Sequence, residues 1–153
     1  SGVKRIVRDL IDSMRFHGLI GMAAPQIGEN VRIFVSEIRK TKTRRRNPKD
    51  YDPLRVYVTP RILTLSKKFV TIYEGCGSVG FSKIFGPVKR PKEVRIEARN
   101  EKGIKFTLRA QGLLARVIQH EMDHLNGLVF IDKLDDTKKV MSLNEYIKKF
   151  AKT

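Results

Sequence analysis

Residues 112–125 read GLLARVIQHEMDHL. Leu113, Leu114, Val117 and Ile118 fall at helical spacings, so the stretch is predicted to be a helix with an apolar face. On a helix, residues four apart project from nearly the same side, roughly 6 Å from one another. His120 and His124 stand at that separation, and both imidazoles can address one cation. Glu121 adjoins the first, placed to hold water beside such a cation and take its proton. The apolar neighbours argue against two idle surface histidines, because a buried imidazole needs a partner.

A catalytic cation needs a third protein ligand and an open position for water. One protease pattern supplies a further histidine after the second, but Phe130 stands at that position. Another takes a downstream glutamate, and Glu145 lies 21 residues beyond His124, in a lysine-rich amphipathic stretch that reads more naturally as surface. The remaining candidate is Cys76, the single cysteine of the chain, in EGCGSVG at 74–80. Its flanking glycines let the backbone turn tightly, and a thiol beside a divalent cation is deprotonated outright. A lone cysteine also reads as a small buried apolar side chain. Having one cysteine excludes an internal disulfide and points to a reducing compartment.

Outward from this centre, Val3–Phe16 is predicted to be an amphipathic helix, with Val3, Ile6, Val7, Leu10, Ile11 and Met14 inward, stopping near His17-Gly18. LIGMAAPQIG at 19–28 reads as a tight turn and 31–38 as a strand. Residues 41–53, with Arg44-Arg45-Arg46, read as a basic exposed loop. Separate β-like runs follow in LRVYVTP (54–60), RILTLS (61–66) and KFVTIYEG (68–75). EVRIEARN and IKFTLRA form a hairpin around 100–103. Residues 136–153 read as a basic C-terminal helix, the helical stripe of Leu143, Ile147 and Phe150 covering about 142–152. The expected architecture is α+β: one domain over 1–153, with antiparallel strands packed around a central metal-binding helix.

The composition is that of a globular domain, with 41% hydrophobic and 31% charged residues among 153. No apolar run reaches the roughly 18 residues of a membrane span. Ser1-Gly2 reads as a remnant of tag removal, with no secretory pattern after it. The net charge of +16 predicts a polyanionic partner.

The sequence resembles the peptide deformylase family, which carries three motifs in fixed order. Here they stand as Gly21-Met22-Ala23-Ala24-Pro25-Gln26, then Glu74-Gly75-Cys76-Gly77-Ser78, then His120-Glu121-Met122-Asp123-His124-Leu125-Asn126-Gly127. The likeness extends over about 3–134, including VKRP at 88–91 and LVFIDKL at 128–134. It implies removal of the formyl group from the N-terminal methionine of nascent polypeptides, with release of formate. By the same resemblance, Cys76, His120 and His124 hold the metal, often Fe²⁺, with Zn²⁺, Ni²⁺ or Co²⁺ able to replace it. Glu121 is implied as general acid/base, and the Gln26 side-chain amide and Gly77 backbone N–H as oxyanion donors. Ile20, Ile72, Leu113 and Val117 are implied to line the methionine slot, and Ile20, Gly21 and Gly75 to meet the substrate backbone.

The resemblance further implies work at the ribosome, where the +16 charge and the Lys-rich last helix suit rRNA contact. A monomer in bacterial cytoplasm is expected, or alternatively an enzyme of a mitochondrion or plastid. Leu19 replaces a usual glycine two residues before Gly21, Gly77 replaces a larger residue, and Gly80-Phe81 replaces proline-glycine. The family's stretch before the first helix is shortened. Two rival readings are a metalloprotease using Glu145 and an inactive deformylase-like RNA-binding module, the second opposed by the intact Glu121.

Overall fold

The computed structural model describes residues 2–42, 44 and 50–150. Helix α1 (Gly2–Phe16) precedes strands β1 (Gly21–Ala23), β2 (Ile33–Ile38), β3 (Asp52–Leu65), β4 (Phe69–Gly75), β5 (Ile84–Pro91), β6 (Glu93–Arg99) and β7 (Lys105–Gln111). Helix α2 (Gly112–Leu125), strand β8 (Met141–Ser142) and helix α3 (Leu143–Phe150) complete the chain. Two antiparallel sheets result: five strands in the order β1-β2-β3-β6-β7, and three in the order β4-β5-β8. The α+β expectation and the limits of α2 agree with this architecture. Among the described residues, no helix is long and apolar enough to cross a membrane.

The apolar run in β2 is explained by burial on both faces. Ile33 and Val35 pack with Ile6, Val7, Leu10 and Met14 of α1, at the spacings that made α1 amphipathic. Phe34 faces the other way, into a core with Tyr57, Ile96, Ala115, Ile118 and Met122, which anchors α2. Phe34 stacks on Tyr57 with ring centroids 4.2 Å apart. Ser36, fully buried, lies 2.9 Å from the Tyr57 hydroxyl. Burial pushes the Tyr57 phenol up to about 12, so the hydroxyl stays neutral and its partner matters.

Three expectations need correction. The runs at 54–60 and 61–66 are one strand, β3. Its pairing register shifts between Val58 and Arg61, where Thr59 has φ 46° and Pro60 follows; the bulge accommodates a proline as pairing passes from β2 to β6. The helix expected over 136–153 is confined to Leu143–Phe150 among the described residues. Before it, Asp136 accepts from the Lys138 N–H in a short 3₁₀ turn, and Met141 and Ser142 pair with Phe85 and Ile84. Residues 151–153, like Arg45 and Arg46, lie outside the described residues. The basic loop expected over 41–53 gives way to strand at Asp52, and Arg44 is half-buried rather than solvated.

The Ser36–Tyr57 pair yields a stability cycle. Ser36→Ala should cost about 1–3 kcal/mol by leaving a buried hydroxyl without a partner. Adding Tyr57→Phe should cost less than the two single changes summed, because the orphan is removed. Urea unfolding of the four proteins measures this, and strict additivity would exclude the pair as a coupled unit.

Candidate metal centre and substrate cleft

Helix α2 is buried along most of its length, from Ala115 through His124. That placement carries His120, Glu121 and His124 into the interior. Strand β4 ends at Gly75, and the chain turns so that the Cys76 carbonyl accepts from the N–H groups of Val79 and Ser82 at 3.1 and 3.2 Å. This turn presents the Cys76 sulfur 3.2 Å from His124 Nε2. One donor atom from each of Cys76, His120 and His124 lies within 4.8 Å of the others, so the expected convergence of distant stretches is present.

A buried ion network, absent from the expectations, braces the cluster. His120 Nδ1 meets Glu74 Oε1 at 2.9 Å, which leaves Nε2 for a cation. Glu74 accepts a two-pronged contact from Arg90 through Nε at 2.7 Å and Nη2 at 3.0 Å. Arg90 Nη1 reaches Asp123 at 2.7 Å, and Arg116 Nη2 reaches Glu74 at 2.8 Å. The residues were legible as letters of EGC, VKRP and GLLARVIQHEMDH, but no local spacing pairs them.

The electrostatics follow from this packing. Burial opposes ionisation of Glu74, but hydrogen bonds from His120 and Arg90 win and bring it down to about 2. Burial likewise pushes the Cys76 thiol up, and hydrogen bonding from His120 and His124 overrides it, lowering the thiol to about 5. For His120, burial is outweighed by Cys76 and Glu74, which raise it to about 10. The thiol is thus poised in its ligand form, and a cation would displace the imidazole proton. Glu121 goes the other way: burial raises it to about 7 against the pull of both histidines.

These groups floor a cleft of about 320 Å³. Ile20, Gly21, Gln26, Ile72, Gly75 and Gly77 line it, together with Leu113, Val117, His120 and Glu121, so the structure gathers the residues singled out from the sequence. Gln26 is both turn residue and site residue. Its Oε1 accepts from the Ala23 N–H at 2.9 Å, which turns Nε2 toward Ser78 Oγ at 3.1 Å and the Cys76 sulfur at 3.8 Å. Gly21 is required by a close approach: a Cβ there would stand 2.8 Å from both Glu121 Oε1 and Val117 Cγ1. Two sequence departures also prove connected, since a Cβ on Gly77 would come within 3.3 Å of Leu19 Cδ1.

The donor chemistry fits a transition-metal cation. One sulfur and two imidazole nitrogens suit iron, zinc, nickel or cobalt better than the oxygen-seeking magnesium or calcium. Glu121 is 3% exposed, and its Oε2 is buried without a hydrogen-bond partner, as a carboxylate awaiting water or substrate would be. Glu145 is engaged elsewhere: its carboxylate accepts from the Ser142 N–H at 3.0 Å and its own N–H donates to Ser142 Oγ at 3.2 Å, capping α3. Together these features describe a candidate metal centre beside a buried, unpartnered carboxylate on the floor of a cleft.

Comparison with known proteins agrees. The model of the polypeptide deformylase family matches residues 1–140. The peptide deformylase of Microchaete diplosiphon is 38% identical over 135 residues, 88% of this chain and 67% of that one. The actinonin complex of a Synechococcus elongatus peptide deformylase superposes with a TM-score of 0.77 at 31% identity, covering 100% of this chain and 77% of the other. A class I type b peptide deformylase from Acinetobacter baumannii with Met-Ala-Ser bound gives 0.77 at 30% identity, covering 87% and 82%. The chain belongs to the peptide deformylase family. It is a metal-dependent hydrolase that removes the N-formyl group from the N-terminal methionine of nascent polypeptides, and neither the protease nor the inactive RNA-binding reading is favoured.

Replacing Cys76 with alanine should abolish stoichiometric metal binding, measured as metal per purified chain, whereas Glu145→Ala should retain it. The opposite result would transfer the third ligand to Glu145.

Proposed function

We propose that Cys76, His120 and His124 hold one divalent cation, and that Glu121 moves the protons of formyl hydrolysis. The observation that carries this is the buried, unpartnered Oε2 of Glu121 beside three convergent donors. When bound, the cation supplies Lewis acidity, making water ionisable near neutral pH and polarising a carbonyl. Iron(II) is the resident ion of this reading, with zinc, nickel or cobalt as replacements that the same donors accept.

The chain's own groups divide the remaining work. Glu121 takes a proton from the attacking water and returns it to the departing amine, so that formate and a free N-terminus leave. A carboxylate raised to about 7 suits both duties near neutral pH. Gln26 Nε2 and the Gly77 N–H stabilise the oxyanion as it develops. The capping contact to Ala23 fixes the Gln26 amide before substrate arrives, so no reorganisation is needed. Glu74 holds the His120 ring in one tautomer.

The methionine side chain enters the apolar slot of Ile20, Ile72, Leu113 and Val117. Its backbone pairs with Ile20, Gly21 and Gly75 as an added strand. That a solved relative carries Met-Ala-Ser supports a methionyl peptide as the ligand. In this reading residues 1–153 are one catalytic domain, acting as a monomer in a bacterial cytoplasm such as those of the relatives. The +16 charge supports contact with ribosomal RNA, which added salt would weaken.

Iron-loaded protein should release formate from formyl-Met-Ala. Glu121→Gln should lower kcat by about 10²–10⁴-fold with metal content unchanged. Absence of turnover with Fe²⁺, Ni²⁺ and Co²⁺ alike would defeat the assignment.

A further inference from the structure

The cleft continues past the reaction centre to a wall built by α3. Tyr146 stacks on Phe85 with centroids 4.2 Å apart and planes 9° from parallel, and Phe150 packs between Tyr73 and Tyr146. The Leu143 N–H donates to the Lys83 carbonyl at 2.8 Å, fixing the start of α3 to the loop before β5. Arg44, half-buried, lines the same cleft as Tyr146.

Strand geometry decides what reaches this wall. β4 lies at the edge of its sheet, open to an added strand. Its Ile72 and Glu74 point toward α2, whereas Tyr73 and Gly75 share the other face with Phe85 and Pro87. Side chains of an added strand alternate likewise. A methionine directed to Ile72 and Val117 therefore turns the next residue toward Phe85 and Tyr146, in the cleft that Arg44 also lines.

The charge on that side has one sign. The cations lining the outer cleft are Lys42, Arg44 and Lys83. Among the described lining residues the acids are Glu74 and Glu121, both at the floor, and Glu74 is already paired with two arginines and His120.

We propose that Arg44 and Tyr146 form a second substrate subsite, which selects formyl-methionyl peptides carrying an acidic side chain at the residue after methionine. The proposal rests on the deformylase reading and adds a preference to it. The Tyr146 ring packs against the stem of that side chain, and Arg44 meets its carboxylate.

The test compares formyl-Met-Glu-Ser with formyl-Met-Lys-Ser on the metal-loaded enzyme. At low salt, kcat/KM should favour the glutamyl peptide by about tenfold, mainly through KM, and the ratio should shrink as salt screens the contact. Arg44→Glu should erase or invert the ratio, and Arg44→Lys should keep its direction. Equal values for the two peptides in the parent enzyme, or a ratio unchanged in Arg44→Glu, would overturn the subsite. Formyl-Met-Ala-Ser separates the two readings, since failure to hydrolyse it strikes the deformylase assignment itself. Calorimetry with the products Met-Glu-Ser and Met-Lys-Ser decides the subsite without turnover, the same order of affinity being expected and equal affinities excluding it.

Discussion

The site depends on a joint between the strand that delivers Cys76 and the helix that carries the two histidines. Glu74 stands near the end of β4, two residues before Cys76, Arg90 sits on β5, and His120 and Asp123 stand on α2. Arg90 grips Glu74 with two nitrogens and Asp123 with the third, all with little exposure to water. Removing one member would leave a buried charge uncompensated, at a cost of about 3–5 kcal/mol. Such a network adds little stability over a well-packed apolar alternative. Its contribution is geometrical: sheet and helix meet in one register, so a sulfur and two rings fall within reach of one ion.

The large sheet has a different task. β2 is buried on both faces, against α1 on one side and the α2 core on the other. It holds β1 in place, and β1 leads directly into Gln26. Gly21, the first residue of β1, lies under Glu121 with no room for a side chain. This short strand thus touches Glu121 of α2 at its start and leads into Gln26, whose amide reaches the cysteine loop at Ser78.

Much of this was legible in the chain because it is periodic. The apolar spacing of 112–125 located α2 and placed both histidines on one side of it. The pairing of 93–99 with 105–111 was readable from alternation. Cys76 was different: spacing alone left it beside Glu145, and the order of three motifs was needed to prefer it. The structure accounts for Glu145 as a cap, a role signalled by Ser142 three residues earlier. The arginine–carboxylate joint was illegible because its members are far apart in sequence and each resembles an ordinary surface charge. The cleft wall at Tyr146 was hidden for the same reason, since it requires knowing that β8 returns the chain to β5.

Leu19 and Gly77 looked like two unrelated exceptions, yet the leucine methyl occupies the space beside the absent side chain. A side chain added at 77 would press on that methyl, which must give by a few tenths of an ångström, so the tolerance of one position depends on the residue at the other.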